Sequence, residues 1–138
     1  MLKKVFLCVL YFALLAPLTS VVAEEEEGQQ APDYRYFALS PDIITNYIKP
    51  GKRLGYVRLR VDLMVKSSTA YEQVEMNAPL IRDRIITIFG EQNESQIKSN
   101  SERDAIRQRC LTEVNDVLFE FIGTRPVENL LFTKYLDQ

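Results

Sequence analysis

From Val57 to Lys66 apolar and polar residues alternate without a slip. Val57, Leu59, Val61, Leu63 and Val65 take one side, and Arg58, Arg60, Asp62, Met64 and Lys66 take the other. Successive side chains of a strand point to opposite faces, so this pattern predicts one face in a core and one turned to solvent or a partner. Ser67-Ser68-Thr69 ends the run. Upstream, Lys49-Pro50-Gly51 is a turn signal, and Gly55 closes that loop. Tyr34 to Leu39 and Ile43 to Ile48 read as two shorter strands separated by a Ser40-Pro41-Asp42 turn.

The period then changes to that of a helix. Val74, Ala78, Ile81, Ile85, Ile88 and Phe89 form one stripe on a helical wheel, with Glu72, Asp83 and Thr87 opposite. Pro79 implies either a helix that starts near Asn77, where a missing N–H is harmless, or a longer helix that bends there. Gly90 marks its end. Ser99 with Glu102 three residues on matches a capping box and predicts a second helix. Its stripe is Ile106, Cys110, Val114, Val117, Leu118 and Phe121, and Gly123 ends it. After Arg125-Pro126 the chain returns to strand character through Val127, Leu130, Leu131, Phe132, Tyr135 and Leu136. A run this apolar is expected to pair beside the long strand. The order β–β–β–α–α–β predicts an α+β fold, a small, mainly antiparallel sheet with two helices packed on one face.

The N-terminus carries a different signal. Lys3 and Lys4 precede the apolar stretch Val5 to Ala16, twelve residues long, and Pro17 breaks it before Val21-Val22-Ala23. This is the layout of a cleavable export signal, residues 1–23. A membrane-spanning helix wants about 20 apolar residues, reached here only if Pro17 and Thr19-Ser20 are counted, so a retained anchor is the second reading. Either places the domain outside the cytoplasm. Glu24 to Glu27 repel one another, and residues 24–33 read as an acidic flexible linker ahead of a single domain, 34–138. Without residues 1–23 the chain holds 15 basic and 19 acidic residues, and the four excess negatives are those glutamates. A near-neutral folded body lacks the basic stripe that nucleic acid requires.

Candidate chemistry is sparse. With no histidine and Cys110 the only cysteine past the leader, neither a zinc or iron site nor a histidine-activated nucleophile can be assembled. Cys110 lies on an apolar helix stripe and reads as a core residue. Five scattered glycines make no phosphate loop. Glu72 and Glu75, or Glu102 and Asp104, sit where helix surfaces and caps place acids, with nothing to mark a catalytic pair. No catalytic, cofactor or metal residue is assigned. Arg58, Arg60 and Lys66 alternate with Tyr56 and Met64, giving one strand face a basic and aromatic character. Arginine and tyrosine are favoured interface anchors. Tyr56, Arg58 and Arg60, or Arg82 and Arg84 on the first helix, are therefore the candidate partner-binding residues. An ordinary solvated surface is the alternative.

The order of several short signatures resembles the flagellar basal-body-associated FliL family over about Tyr36 to Gln138. They run from Pro41 and Thr45-Asn46-Tyr47 to Tyr56-Val57-Arg58-Leu59-Arg60-Val61. Val74, Pro79, Arg82-Asp83 and Ile85-Ile86 follow, then Ile97-Lys98-Ser99, Glu102, Arg103, Ile106, Arg107 and Val114-Asn115. Leu131-Phe132-Thr133-Lys134-Tyr135, with Gln138, is the most specific piece. The resemblance implies a single-pass inner-membrane protein whose periplasmic domain is similar to stomatin/prohibitin-type scaffolds. It also implies a ring-forming homo-oligomer that surrounds the flagellar motor stator and supports motility, in keeping with the residues' lack of enzymatic or cofactor chemistry. Only four residues precede the proline-interrupted apolar run, unlike the family's longer lead and clear membrane helix. That departure points to an exported relative whose link to the motor is indirect. A scaffold of the same fold serving another inner-membrane complex is the alternative role.

Overall fold

The computed structural model describes residues 31–138. The expected export signal, residues 1–23, and the acidic run Glu24–Glu27 lie outside the described residues. The first element is one strand of 15 residues, β1 (Arg35–Lys49), where the sequence pattern suggested two. Ser40-Pro41-Asp42 does not break it. It forms a bulge, seen as a register shift between Leu39 and Ile43 against the next strand. Proline has no N–H to give to a ladder, so a bulge on an edge strand accommodates it. A tight connection, with Gly51 at φ 76° and Lys52 at φ 57°, leads into β2 (Arg53–Val65). The two strands pair antiparallel from Arg35↔Val65 to Lys49↔Arg53.

Four helices follow, twice the number expected. α1 (Ser68–Met76) starts at Ser67, whose Oγ accepts the Ala70 N–H at 3.1 Å. α2 (Ala78–Gly90) starts one residue later, with Pro79 in its first turn. Asn77 is the joint. Its N–H returns to Gln73 and Val74 carbonyls, closing α1, while its carbonyl accepts the Ile81 N–H and opens α2. Both expectations for Pro79 thus hold in part: a helix begins at Asn77, and another precedes it. α3 (Glu94–Lys98) is a single turn with a complete capping box between Asn93 and Gln96. α4 (Asn100–Ile122) is capped by Ser99, whose Oγ accepts the Glu102 N–H at 3.4 Å. Gly123 at φ 73° ends it in the left-handed conformation that glycine tolerates best.

β3 (Asn129–Asp137) then pairs antiparallel with β2 from Met64↔Asn129 to Val57↔Asp137. The sheet order is β1-β2-β3, which puts the alternating strand in the middle and the C-terminal strand beside it as expected. Its inward residues, Val57, Leu59, Val61, Leu63 and Val65, are all fully buried or within 1% of it. They meet Ile81, Ile85, Ile88 and Phe89 of α2 and Ile106, Cys110, Val114 and Leu118 of α4. Phe121 is a correction. It is 69% exposed, and Ile122 packs toward the core in its place. The core-facing stripe of α4 advances in steps of four, from Ile106 through Cys110, Val114 and Leu118, with Val117 buried beside it, to the partly buried Ile122. That step turns a helix by slightly more than one revolution, so the stripe has drifted past Phe121 by the last turn.

Polar clamps complete the layer of helices. The Asn115 amide donates to the Val127 carbonyl at 2.8 Å and accepts its N–H at 3.1 Å, pinning the chain between α4 and β3. The Tyr135 ring lies beside Phe89 and Phe132, under the Arg103 guanidinium at 4.0 Å, and its hydroxyl donates to the Ile97 carbonyl.

Candidate functional site on the bare face of the sheet

All four helices of the described residues lie against one face of the sheet. The other face is bare among the described residues, and the bulge in β1 decides what it displays. The two inserted positions swing Asp42 over the neighbouring strand. Its carboxylate accepts Arg58 Nε at 2.8 Å, Arg60 Nε at 3.0 Å and Lys134 Nζ at 3.2 Å. Arg58 and Arg60 are two apart on β2 and therefore share this face. Lys134 sits opposite Arg60 on β3. Arg82 reaches the same corner from α2 and donates to the Pro41 carbonyl at 2.6 Å. β2 and β3 thus bring three cations to one carboxylate on β1, and Arg82 of α2 holds the carbonyl of the residue before it.

The Asp42 side chain is only 10% exposed, whereas those of Arg58 and Arg60 stay half exposed. Hydrogen bonds from Arg60, then Arg58 and Lys134, hold the Asp42 carboxyl down at about 2, against the pull of partial desolvation in the other direction. It stays ionised throughout the physiological range. The arrangement fixes both arginine stems while leaving positive charge uncompensated at the surface. Apolar side chains surround it. Ile44, Arg58 and Leu136 form one row across the three strands, and both aliphatic residues are exposed. Tyr56 is the next outward residue on β2, also exposed, and Ile48 and Leu54 face each other toward the hairpin tip.

Of the residues singled out from the sequence, Tyr56, Arg58 and Arg60 lie together on this face, and Arg82 lies at its margin. Arg84 does not join them. It faces Glu113 of α4 at 3.7 Å, where Arg109 also bonds Glu113 and Glu91. The pattern missed Asp42, Lys134, Ile44 and Leu136. The outward parity of β1 and β3 could have found the last three, but Asp42 required knowledge of the bulge.

Nothing else among the described residues gathers reactive groups. An open cleft of about 530 Å³ beside the hairpin tip is lined by Ile48, Lys49, Pro50, Asn93, Glu94, Ser95 and Lys98. Its Lys98 and Glu94 are already paired at 2.7 Å. Cys110 is buried, and desolvation pushes its thiol up to about 12. No group of three metal-ligating side chains occurs among the described residues. None of their helices is long and apolar enough to cross a membrane.

The fold defines the chain as an α+β domain, helices on one side of a three-stranded antiparallel sheet and a charged, partly apolar surface on the other. Residues 36–138 match the family described as Flagellar basal body-associated protein FliL, and the chain belongs to that family. It is similar to the Flagellar protein FliL of Aquifex aeolicus (strain VF5), with 28% identity over 102 residues. The match covers 74% of this chain and 60% of that relative, so the chain spans three-fifths of the length of the curated protein it matches. Family membership supports a flagellar role.

Proposed function

We propose that this chain is a non-enzymatic assembly protein of the flagellar basal body, which works beyond the inner membrane and supports the motor stator by contact. The observation that carries the reading is the bare sheet face. Half-exposed arginines held in place by a nearly covered aspartate, next to exposed Ile44, Tyr56 and Leu136, have the composition of an interface centre. Pre-set side chains lose less freedom on binding than loose ones. Family membership points to the flagellum, and the Lys3-Lys4 and Val5–Ala16 pattern supports export. Stator contact, oligomerisation and a scaffold-like role similar to stomatin and prohibitin domains belong to the same proposal.

The test is a chromosomal Tyr56→Ser/Arg58→Gln variant, which keeps the Arg60–Asp42 and Lys134–Asp42 contacts. It should spread less on soft agar and co-purify less with stator components, with melting changed by only a few degrees. Normal motility together with normal co-purification would refute the role of this face. Normal motility in a complete deletion strain would refute the flagellar reading and favour service to another inner-membrane complex.

A further inference from the structure

Of the 17 lysines and arginines, Lys3 and Lys4 lie in the leader and 15 in the described residues. Ten of those 15 face a carboxylate. Among the other five, Arg82 is held by the Pro41 carbonyl and Arg103 lies over the Tyr135 ring. The remaining three, Lys49, Lys52 and Arg53, all fall at the tip of the β1–β2 hairpin. Arg53 Nε reaches only the Pro50 carbonyl, at 3.5 Å, and Lys49 Nζ stands 5.9 Å from the centre of the Tyr47 ring. Cations without a carboxylate are thus concentrated at one end of the sheet.

That end is also apolar and firmly held. Ile48 faces Leu54 across the hairpin, and the two are 50% and 56% exposed. The Ile48 N–H donates to the Gln92 carbonyl at 3.0 Å, and the buried Gln92 amide donates in turn to the Ile88 carbonyl at 2.7 Å. The tip is therefore tied to the helix layer just before α3. In the cleft between tip and α3 the one carboxylate is that of Glu94, already bonded by Lys98 at 2.7 Å. Its carboxyl is held below the ordinary range chiefly by Lys98, against partial desolvation, with Lys49 and Arg53 adding to the effect through space. No acid of the described residues is left over for the tip cations.

We infer that the hairpin tip is a docking point for a membrane surface rich in anionic phospholipid. A turn between two strands presents a projecting edge, which suits a broad partner better than an enclosed small molecule. Lys49, Lys52 and Arg53 beside Ile48 and Leu54 match a surface that offers phosphates at one level and hydrocarbon just beneath it. The cationic heads stay among the phosphates while the two aliphatic side chains reach further in. Both readings of residues 1–23 bring the chain to a membrane, so a surface of this chemistry is at hand. This contact is separate from the bare sheet face and does not depend on the role proposed for that face.

The full chain, labelled with an environment-sensitive dye at Leu54→Cys in a Cys8→Ser background, tests this. Cys110 is buried and takes no label in the folded chain. The leader is expected to bind any bilayer, so the signal read is the dye and not the amount of protein bound. Vesicles that contain phosphatidylglycerol should shift the dye to the blue and expose it to a quencher placed in the lipid. Vesicles of phosphatidylcholine alone should not, and salt should reverse the shift. Lys52→Glu/Arg53→Glu, on exposed positions, should lower the ratio of docked to free tip at least about tenfold, with melting unchanged. The same dye at Phe121→Cys, near the far end of α4, should not respond. No blue shift with anionic vesicles, an equal shift with phosphatidylcholine or at Phe121, or indifference to the charge reversal overturns the inference. So does a shift with soluble polyglutamate that anionic vesicles fail to produce, for the tip would then belong to an acidic protein.

Discussion

Gly55 offers a test in which two physical effects predict opposite signs. It faces Tyr47 across the hairpin, and the Tyr47 ring, fully buried, lies directly over it. A methyl group at Gly55 would collide with Tyr47 Cζ, stand 2.5 Å from its Cε2 and 2.7 Å from Lys49 Cε. The Tyr47 hydroxyl donates to the Gln138 carbonyl at 3.1 Å, so the ring cannot tilt away without breaking that bond. Backbone entropy alone favours Gly55→Ala in a strand by about 0.5–1 kcal/mol. Overpacking opposes it by about 1–3 kcal/mol, and a lost hydrogen bond adds about 0.5–1.5 kcal/mol. The net expectation is a loss of about 1–3 kcal/mol. With urea slopes of about 1–3 kcal/mol per molar, the midpoint should fall by about 1 M. Far-UV circular dichroism through a urea titration measures it. In a Tyr47→Ala background, already weakened by about 3–5 kcal/mol, the same Gly55→Ala change should be neutral or stabilising, because the obstruction is gone. A raised urea midpoint for Gly55→Ala with Tyr47 present would refute the argument.

Three further outcomes are expected. Asp42 has a folded value of about 2 against 3.8 when unfolded, so its contribution is complete above about pH 4 and lost as pH falls toward 2. Asp42→Asn should remove that part of the acid sensitivity, and unchanged thermal melts of the two proteins across pH 4 to 2 would contradict it. Cys110 should resist thiol reagents at pH 8 until the chain unfolds, a delay that a colorimetric thiol assay in rising urea will show. Asn115→Ala leaves the Val127 N–H and carbonyl without their partners and should destabilise by about 1–3 kcal/mol, whereas Phe121→Ser should stay within about 0.5 kcal/mol; calorimetry of both variants separates the buried clamp from the exposed ring.

The parts of the fold legible in the sequence were those set by local periodicity. Val57 to Val65 could only be a strand with one buried face, and the Ile81–Phe89 stripe could only be one side of a helix. Ser99 and Gly123 delimited α4 because capping is a local chemistry. What escaped depended on contacts distant in sequence. Ser40-Pro41-Asp42 has turn composition, and only pairing with β2 shows it to be a bulge inside one strand. Phe121 satisfies the wheel locally, but drift along a helix of 23 residues takes it out of register with the core. For the candidate site, Tyr56, Arg58 and Arg60 were visible from strand parity. Arg84 was not separable from Arg82, and the organising role of Asp42 lies 16 and 18 residues from its arginines.

The placement of β2 bears on how the molecule is made. Its first neighbour arrives through a three-residue connection, but its second is separated from it by residues 66–128. Until β3 docks, the most hydrophobic strand of the molecule has a raw edge of free amides and carbonyls, a template for pairing with any other unfinished chain. Such distant pairing is slow to form. A cell that makes this protein needs to keep it extended, or chaperoned, until residues 129–137 can reach the hairpin, and a truncation ahead of Asn129 should yield aggregates rather than a smaller soluble domain.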